Sequence, residues 1–182
     1  MTTDFRAALS APPADAELAL VPMTEAHRAA LKAACALDRD IWPLYSISYD
    51  PDHFDATFAG VIGDPRRIPF VIMLGQELVG MSAYLGLDSA RQTVEIGNTY
   101  YVPALRGTGL NGRVKRLMLG HAFASGIRRV EFRVDDRNAR SKAAVRKIGG
   151  TLEGILRADR ITWTGHVRDT ALFSILAGEF QA

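Results

Sequence analysis

A glycine-rich stretch in the middle of the chain contains the residues whose types and spacing best indicate chemistry. It reads Val102-Pro-Ala-Leu-Arg-Gly-Thr-Gly-Leu-Asn-Gly-Arg113, between a predicted strand and a predicted helix. Gly107 and Gly109 permit positive φ angles and let a ligand approach the backbone. The first N–H groups of the helix lack partners and lie at the positive end of its dipole. The stretch therefore predicts a phosphate or pyrophosphate site, and a tight turn before a basic helix is the structural alternative.

A dinucleotide is one ligand to consider for this stretch. Gly107-Thr-Gly-Leu-Asn-Gly112 matches G-x-G-x-x-G, and Asp135 lies 28 residues after Gly107, where a ribose-binding acid is expected. However, Pro103-Ala-Leu-Arg106 separates the glycines from the preceding strand. The strands before it are also predicted to be antiparallel, whereas a dinucleotide-binding sheet is mostly parallel. Both departures disfavour a nicotinamide-dependent dehydrogenase.

The charges of the chain are distributed unevenly, although the formal net charge is only +2. Residues 104–168 contain 15 basic and five acidic side chains, whereas residues 1–103 contain seven basic and 13 acidic ones. The basic segment predicts an anionic partner, either a phosphorylated small molecule or a nucleic acid backbone. A solvated basic surface is the alternative.

The elements that must position the glycine-rich stretch follow from hydrophobic periodicity and turn residues. We predict one α+β domain over residues 1–182, built on a mixed, mostly antiparallel sheet of about seven strands with flanking helices. The right-handed helical crossover after Pro103 leaves strands 94–102 and 129–134 parallel. The predicted strands are 18–23, 69–74, 78–85, 93–102, 129–134, 151–157 and 167–176, and the predicted helices are 24–37, 53–62, 109–125 and 140–148.

Several classes of protein are disfavoured by the sequence. The longest stretch without Asp, Glu, Lys or Arg is 11 residues, 117–127, whereas a spanning helix needs about 20, so no membrane protein is expected. The N-terminus has no apolar core of signal-peptide length, and the single Cys35 has no partner for a disulfide; a cytoplasmic location is therefore expected. The histidines and Cys35 show no metal-ligand spacing, so no metal is predicted. Arg168 and Asp169 are expected to pair structurally.

The central motif also reads Arg-x-x-Gly-x-Asn, with Arg106, Gly109 and Asn111, and in this form it resembles the GCN5-related N-acetyltransferase (GNAT) superfamily. In that superfamily an Arg/Gln-x-x-Gly-x-Gly/Ala loop binds the pyrophosphate of acetyl-coenzyme A; Asn111 departs from the last position. Other segments occur in the order typical of the branch that includes the ribosomal-protein-alanine N-acetyltransferases. These segments are 95–100, 136–144, 147–149, 153–157 and 165–169.

The resemblance implies the acyl-CoA N-acyltransferase fold, in which two central parallel strands splay apart and admit the pantetheine arm of acetyl-coenzyme A. It implies that Ser141 serves the departing thiolate, although Asn138 and Ser141 are also good helix caps. The implied cofactor-binding residues are Tyr101, Val102, Arg106, Gly107, Thr108, Gly109, Leu110, Asn111, Gly112, Asn138 and Ser141. Arg106, Arg113, Lys142 and Arg146 are expected to meet the phosphates.

The general base is less clearly indicated. Many members of the superfamily have a glutamate on the strand before the loop, which corresponds to Glu95, our first choice. Relatives with the serine use a glutamate at the position that is Arg160 here, and the adjacent Asp159 is the second choice. A solvated Glu95 and proton transfer to water alone remain alternatives.

The acceptor pocket is expected opposite the cofactor, near the aromatic loop after the first predicted helix. Trp42, Tyr45 and Tyr49 are candidates because aromatic side chains offer apolar walls with polar tips. A small satellite core is the alternative. The acidic excess of residues 1–103 would attract a cationic amine.

Together these features predict a metal-independent enzyme that transfers an acetyl group from acetyl-coenzyme A to a primary amine by direct attack. The amine is a protein N-terminus or a small molecule. The alternative is a non-catalytic module that binds acyl-coenzyme A, or RNA through residues 104–168, and nucleic acid is the less favoured partner. The oligomeric state is left open, with a homodimer through the last strand as one arrangement.

Overall fold

A computed structural model describes residues 4–11 and 14–181 of the chain. Its strands are β1 (Leu18–Pro22), β2 (Arg67–Leu74), β3 (Glu77–Asp88), β4 (Thr93–Tyr101), β5 (Arg129–Asp135), β6 (Thr151–Ile161) and β7 (Val167–Leu176). Its α-helices are α1 (Phe5–Ser10), α2 (Arg28–Ala36), α3 (Phe54–Gly63), α4 (Leu110–Ala124) and α5 (Ala139–Lys147).

The seven strands form one sheet in the order β1-β2-β3-β4-β5-β7-β6. Every neighbouring pair is antiparallel except β4 and β5, which are parallel. The helix that connects these two strands is α4, which crosses over one face of the sheet. The predicted mixed sheet with a central parallel pair is therefore confirmed.

The central strands β4 and β5 separate soon after they begin to pair. They are paired only at Thr93, Val94 and Glu95 of β4. On its other side, β4 pairs with β3 through a bulge, because Met81 pairs with Tyr100 whereas Ala83 pairs with Gly97. A bulge bends its strand and increases its twist. The second half of β4 thus follows β3 and leaves β5, which opens a cleft in the middle of the sheet.

Each face of the sheet has its own apolar core. The α4 face includes Val94, Ile96 and Phe132, which pack with buried residues of α1, α4 and α5. The α2 face includes Met81 and Tyr100, which pack with buried residues of α2, α3 and the aromatic loop 42–49. Side chains alternate between the two faces along a strand, so Glu95, between Val94 and Ile96, points toward the α2 face.

The first helix, α1, was not among the helices predicted from the sequence. The carboxylate of Asp4 accepts a hydrogen bond from the Ala7 N–H at 3.0 Å and caps this helix. Phe5 and Leu9, four residues apart, are both buried. The predicted helix at 24–37 also differs, because a 3₁₀ turn, Glu25–His27, precedes α2.

Gly80 fixes the distance between β3 and β4 beside the bulge, and its substitution provides a test of this packing. A Cβ atom on Gly80 would overlap the carbonyl oxygen of Tyr100 and lie 3.2 Å from the Tyr101 Cα. We expect Gly80→Ala to lower the free energy of unfolding by about 1–3 kcal/mol, measured by urea denaturation. Gly60→Ala, in the exposed interior of α3 with open space around the new Cβ, is the control and is expected to stabilise by about 0.5–1 kcal/mol. Equal stability of the two variants would contradict the close approach.

Candidate active site

The glycine-rich turn leads directly into α4. Gly107 has a φ of 82° and Gly109, the N-cap of α4, has a φ of 90°. A side chain is rarely found in this conformation, so glycine is required by the backbone here. Both glycines are exposed, and nothing lies within 4 Å of the Cβ positions. The turn before α4 is thus exposed and uncrowded, as an anion site at a helix N-terminus needs.

The basic residues expected at the phosphates are engaged with other groups. Arg113 pairs with Asp15 and Glu17, Lys142 pairs with Asp136, and the Arg146 guanidinium lies over the Phe173 ring.

Arg106 makes contacts that the sequence did not indicate. Its guanidinium donates to the Tyr101 carbonyl oxygen at 3.2 and 2.9 Å, and it forms an ion pair with Asp38. Arg106 therefore links the end of β4 to the segment after α2, and a direct contact with phosphate remains a prediction.

The cleft between β4 and β5 widens into a cavity of about 590 Å³. Its walls come from both strands, α4, α5 and the loop 44–47. The residues expected to bind the cofactor that line it are Tyr101, Arg106, Gly107, Gly109, Asn111, Gly112, Asn138 and Ser141. The other three do not line it; they are Val102 and Thr108, at the strand end and in the loop, and Leu110, the first residue of α4. One cavity thus brings together the turn, the strand end and the start of α5.

Tyr101 presents a polar atom that the protein leaves without a partner. Its hydroxyl is buried and makes no hydrogen bond with the described residues. Burial raises the pKa of this phenol well above its ordinary value, so the group is neutral. Buried polar atoms are nearly always hydrogen-bonded in folded proteins. An orphaned hydroxyl on the wall of the cavity fits a ligand that carries its own hydrogen-bonding groups.

At the start of α5, capping of the helix and contact with the cavity through a free hydroxyl belong to different residues. The side-chain oxygen of Asn138 accepts a hydrogen bond from the Ser141 N–H at 2.9 Å, so Asn138 is the helix cap. The Ser141 hydroxyl makes no hydrogen bond among the described residues, and Ser141 lines the cavity. Its hydroxyl is thus available to a ligand.

Glu95 lies at the point where β4 and β5 part, and it lines the cavity from the α2 face. Its carboxylate is 3.8 Å from the Arg133 guanidinium, and its side chain is 19% exposed. Burial raises the pKa of Glu95, and the nearby Arg160, Arg133 and Arg168 counteract only part of this effect. A Cβ atom on Gly97 would lie 2.7 Å from the carboxylate oxygen, so glycine makes room for this side chain. A carboxylate with a raised pKa suits general-base chemistry.

Asp159, the second choice for the base, is occupied by other contacts. It accepts hydrogen bonds from Arg160 at 2.8 Å and from the Thr170 hydroxyl at 2.9 Å. Burial raises its pKa, but the bonds from Arg160 and Thr170 outweigh burial and hold the pKa below its ordinary value. Asp159 is absent from the walls of the cavity. The geometry therefore favours Glu95.

Two of the three expected acceptor residues are core residues instead. Trp42 and Tyr49 are fully buried in the α2-face core and do not line the cavity. The Tyr49 hydroxyl accepts from the Asn98 amide at 2.6 Å, on the β4 bulge. Tyr45 does line the cavity, and its hydroxyl donates to the Thr99 carbonyl oxygen at 2.5 Å. The aromatic loop thus supports the bulge, and only Tyr45 remains a candidate wall of the acceptor pocket.

Two cations line the cavity as buried side chains, an arrangement that the sequence analysis did not predict. Lys115 on α4 is 6% exposed and Arg168 on β7 is 4% exposed. Arg168 does not pair with Asp169; it donates to Thr170, to Ser46 and to the Arg133 carbonyl oxygen. The burial of Lys115 could have been predicted from the helical spacing of the apolar residues around it, because this spacing puts Lys115 at the margin of the buried stripe of α4.

Residues 4–11 and 14–181 are the part of the chain that the structure describes. In this part of the chain no helix is long and apolar enough to cross a membrane. No group of three or more His, Cys, Asp or Glu side chains that could hold a metal ion occurs there either.

Comparisons with known proteins bear on the family and the fold of the chain. The family model described as the acetyltransferase (GNAT) domain matches residues 17–151, whereas no curated protein matches the chain significantly. A solved structure of a probable acetyltransferase of the GNAT family from Chromobacterium violaceum is 32% identical, with a TM-score of 0.86. That match covers 93% of this chain and 88% of the other.

More distant structures share the fold. A GCN5-related N-acetyltransferase from Brucella melitensis is 23% identical, with a TM-score of 0.81 and coverage of 93% of this chain and 80% of that one. RimJ from Mycobacterium smegmatis, in complex with CoA-disulfide, is 23% identical, with a TM-score of 0.78 and coverage of 91% and 84%. Because the family model spans most of the chain and the C. violaceum protein matches nearly all of it, the protein belongs to the GNAT acetyltransferase family.

Proposed function

We propose that this protein transfers an acetyl group from acetyl-coenzyme A to a primary amine by direct attack of the amine on the thioester. The observation that carries the proposal is the cavity between β4 and β5, which connects a helix start suited to an anion on one side with the partly buried carboxylate of Glu95 on the other. A donor with a phosphorylated end and a long amide-bearing arm fits such a cavity.

The donor end of the cavity suits coenzyme A in three respects. The exposed turn at Gly107 and Gly109 offers backbone N–H groups to a pyrophosphate. The edge of β4 beyond Glu95 is not paired with β5, so its backbone groups near Tyr101 can bond to the amides of the pantetheine arm. The orphaned Tyr101 hydroxyl adds one more hydrogen-bonding group. RimJ from M. smegmatis, which shares the fold, was crystallised with a coenzyme A derivative.

Glu95 and Ser141 have complementary tasks in this proposal. Glu95 takes a proton from the ammonium form of the acceptor, directly or through a water molecule, so that the neutral amine can attack; its raised pKa makes it a stronger base than an exposed glutamate. Ser141 donates its hydroxyl hydrogen to the departing thiolate, since that hydroxyl has no other partner among the described residues. No covalent enzyme intermediate is needed.

The RNA-binding alternative is weakened by the ion pairs of the basic segment. Arg106, Arg113, Arg129, Arg137 and Lys142 each form an ion pair with a carboxylate. Pairing reduces the positive field that a nucleic acid backbone requires. A degenerate module that binds acyl-coenzyme A without catalysis remains an outcome of the tests below.

The turn can be tested by introducing a negative charge where the pyrophosphate is expected. Gly109→Asp is expected to weaken coenzyme A binding by roughly tenfold or more, about 1.4 kcal/mol, as measured by calorimetry. Gly165→Asp is the matched control, since Gly165 also has a positive φ, of 80°, and open space around it, but lies in the β6–β7 turn. Equal affinities in both variants would contradict the assignment of the turn, and absence of binding to the parent protein would contradict the proposed function.

Glu95→Gln is expected to lower kcat/KM by roughly 10²- to 10⁴-fold, because the amide cannot accept the proton. The wild-type rate should fall as the pH drops through the raised pKa of Glu95, and the variant should lose this acid limb. Amine substrates would be screened by thiol release, and coenzyme A affinity should be unchanged. Glu77→Gln, at an exposed hairpin position, is the control and should behave as wild type. A Glu95→Gln enzyme with the wild-type profile would rule out Glu95 as the base.

Ser141 and Asn138 can be distinguished by comparing activity with stability. Ser141→Ala should reduce kcat by roughly 10²-fold and leave the thermal midpoint unchanged, since the cap of α5 is the Asn138 side chain. Asn138→Ala should lower the free energy of unfolding by about 1 kcal/mol. If Ser141→Ala destabilised the protein and left kcat intact, the thiolate role would be wrong.

A further inference from the structure

Lys115 is a cation enclosed in the protein at the wall of the cavity. It extends from α4, is 6% exposed and lines the space between β4 and β5. Its Nζ donates to the Thr99 hydroxyl and, at 3.4 Å, to the Ser82 hydroxyl. Among the described residues, no carboxylate lies within ion-pair distance of it. Burial lowers the pKa of Lys115 to about 7, opposed by the charge of Glu95.

Packing alone does not account for a lysine at this position. Its neighbours on α4 in the buried stripe, Val114 and Met118, are apolar, and the Nζ atom lies 6.0 Å from the centre of the Phe132 ring. Enclosing an ammonium group without a carboxylate partner is destabilising, and an apolar side chain of similar length would pack there without that cost. A buried ionisable group in a cavity is a candidate for function.

The hydrogen bonds of Lys115 leave part of its capacity unused. An ammonium group has three N–H donors, and the two hydroxyls of Thr99 and Ser82 account for two of them. These hydroxyls are themselves held, since they lie 2.8 Å from each other and within 3.5 Å of the Gly97 carbonyl oxygen. The Nζ atom is thus fixed against β4, with one N–H free for a ligand in the cavity.

The side from which Lys115 approaches decides between its possible roles. Lys115 reaches the cleft from the α4 face, whereas Glu95 reaches it from the α2 face, where the loop 44–47 forms the expected acceptor side. A base for the acceptor amine belongs on the acceptor side, and a cation there would repel an ammonium group. A donor on the opposite side suits a carbonyl oxygen that gains negative charge during attack.

We propose that the Nζ of Lys115 donates a hydrogen bond to the acyl carbonyl oxygen of the bound thioester and polarises it for attack. This inference rests on the proposed function. In the reaction the acceptor nitrogen bonds to the carbonyl carbon and the carbon–sulfur bond breaks. The ammonium form of the acceptor loses one proton to Glu95 or to water before attack and a second proton as the amide forms. The departing thiolate takes one proton, either from solvent or through Ser141, which then regains its proton from solvent. Lys115 acts as the ammonium group, whose third N–H donates this hydrogen bond, and it transfers no proton.

The test compares two ligands that differ in the acyl group alone. Calorimetry on the full chain would give the affinities of acetyl-coenzyme A and of coenzyme A, which lacks the acyl carbonyl, for wild type and Lys115→Met. We expect the variant to bind acetyl-coenzyme A roughly 10- to 100-fold more weakly and to bind coenzyme A as wild type does. Lys32→Met, which removes a surface cation paired with Asp55 outside the cavity, should affect neither.

A spectroscopic measurement can detect the hydrogen bond from Lys115 to the acyl carbonyl oxygen when no acceptor amine is present. Acetyl-coenzyme A labelled with ¹³C at the thioester carbonyl should show a downfield shift on binding to wild type, and this shift should be absent in Lys115→Met.

Thermal unfolding of Lys115→Met checks that the variant is folded. Because the wild-type lysine has a pKa of about 7 when folded and an ordinary value of 10.5 when unfolded, the wild type gains stability as the pH rises from 7 toward 10. Lys115→Met should therefore have a higher thermal midpoint than wild type, and the difference between the two should be larger at pH 6 than at pH 9.

The outcomes separate the two hypotheses. Equal loss of affinity for both ligands would assign Lys115 to a shared part of coenzyme A and overturn the inference. The inference would also be overturned if Lys115→Met had the affinities and the carbonyl shift of wild type. If wild type bound neither ligand, the proposed function itself would fail, and the inference with it.

Discussion

The parting of β4 and β5 is the constraint on which the rest of the structure depends. One extra residue in β4, at the bulge that contains Asn98, bends the strand toward β3 and ends its pairing with β5 after three positions. Without this bend the sheet would be continuous, and neither the turn before α4 nor the start of α5 would open onto a shared cavity. The bulge is itself supported from the α2 face, where Tyr45 and Tyr49 bond to its backbone and side chain.

The cavity is also organised by where its charges are placed. On the α2 face, Glu95 lies near three arginines. Two of these arginines also pair with other carboxylates, so the positive and negative charges on this side nearly cancel. On the α4 face, Lys115 has only hydroxyl partners among the described residues. Because charges interact more strongly away from water, the two faces present a ligand with clearly different electrostatic environments.

Much of the fold could be predicted from the sequence, because its elements have regular apolar spacing and clear turn residues. The glycines of the turn could be placed because their conformational freedom is a local property. Side-chain partners could not, since they depend on segments far apart in the chain: Arg106 meets Asp38, and Arg168 meets Ser46 rather than the adjacent Asp169. Trp42 and Tyr49 were misassigned because an aromatic residue looks the same in sequence whether it lines a pocket or fills a core.

The three paired positions between β4 and β5 also have a consequence for how the chain folds. They divide the sheet into two halves, β1–β4 and β5–β7–β6, and each half is contiguous in sequence. Each half forms its own antiparallel contacts, whereas the two halves pair with each other in parallel, which is intrinsically slow. The join between the halves is therefore expected to form late. At this join folding and function make opposite demands, because every additional pair of residues that would strengthen the closed sheet would also shorten the cleft.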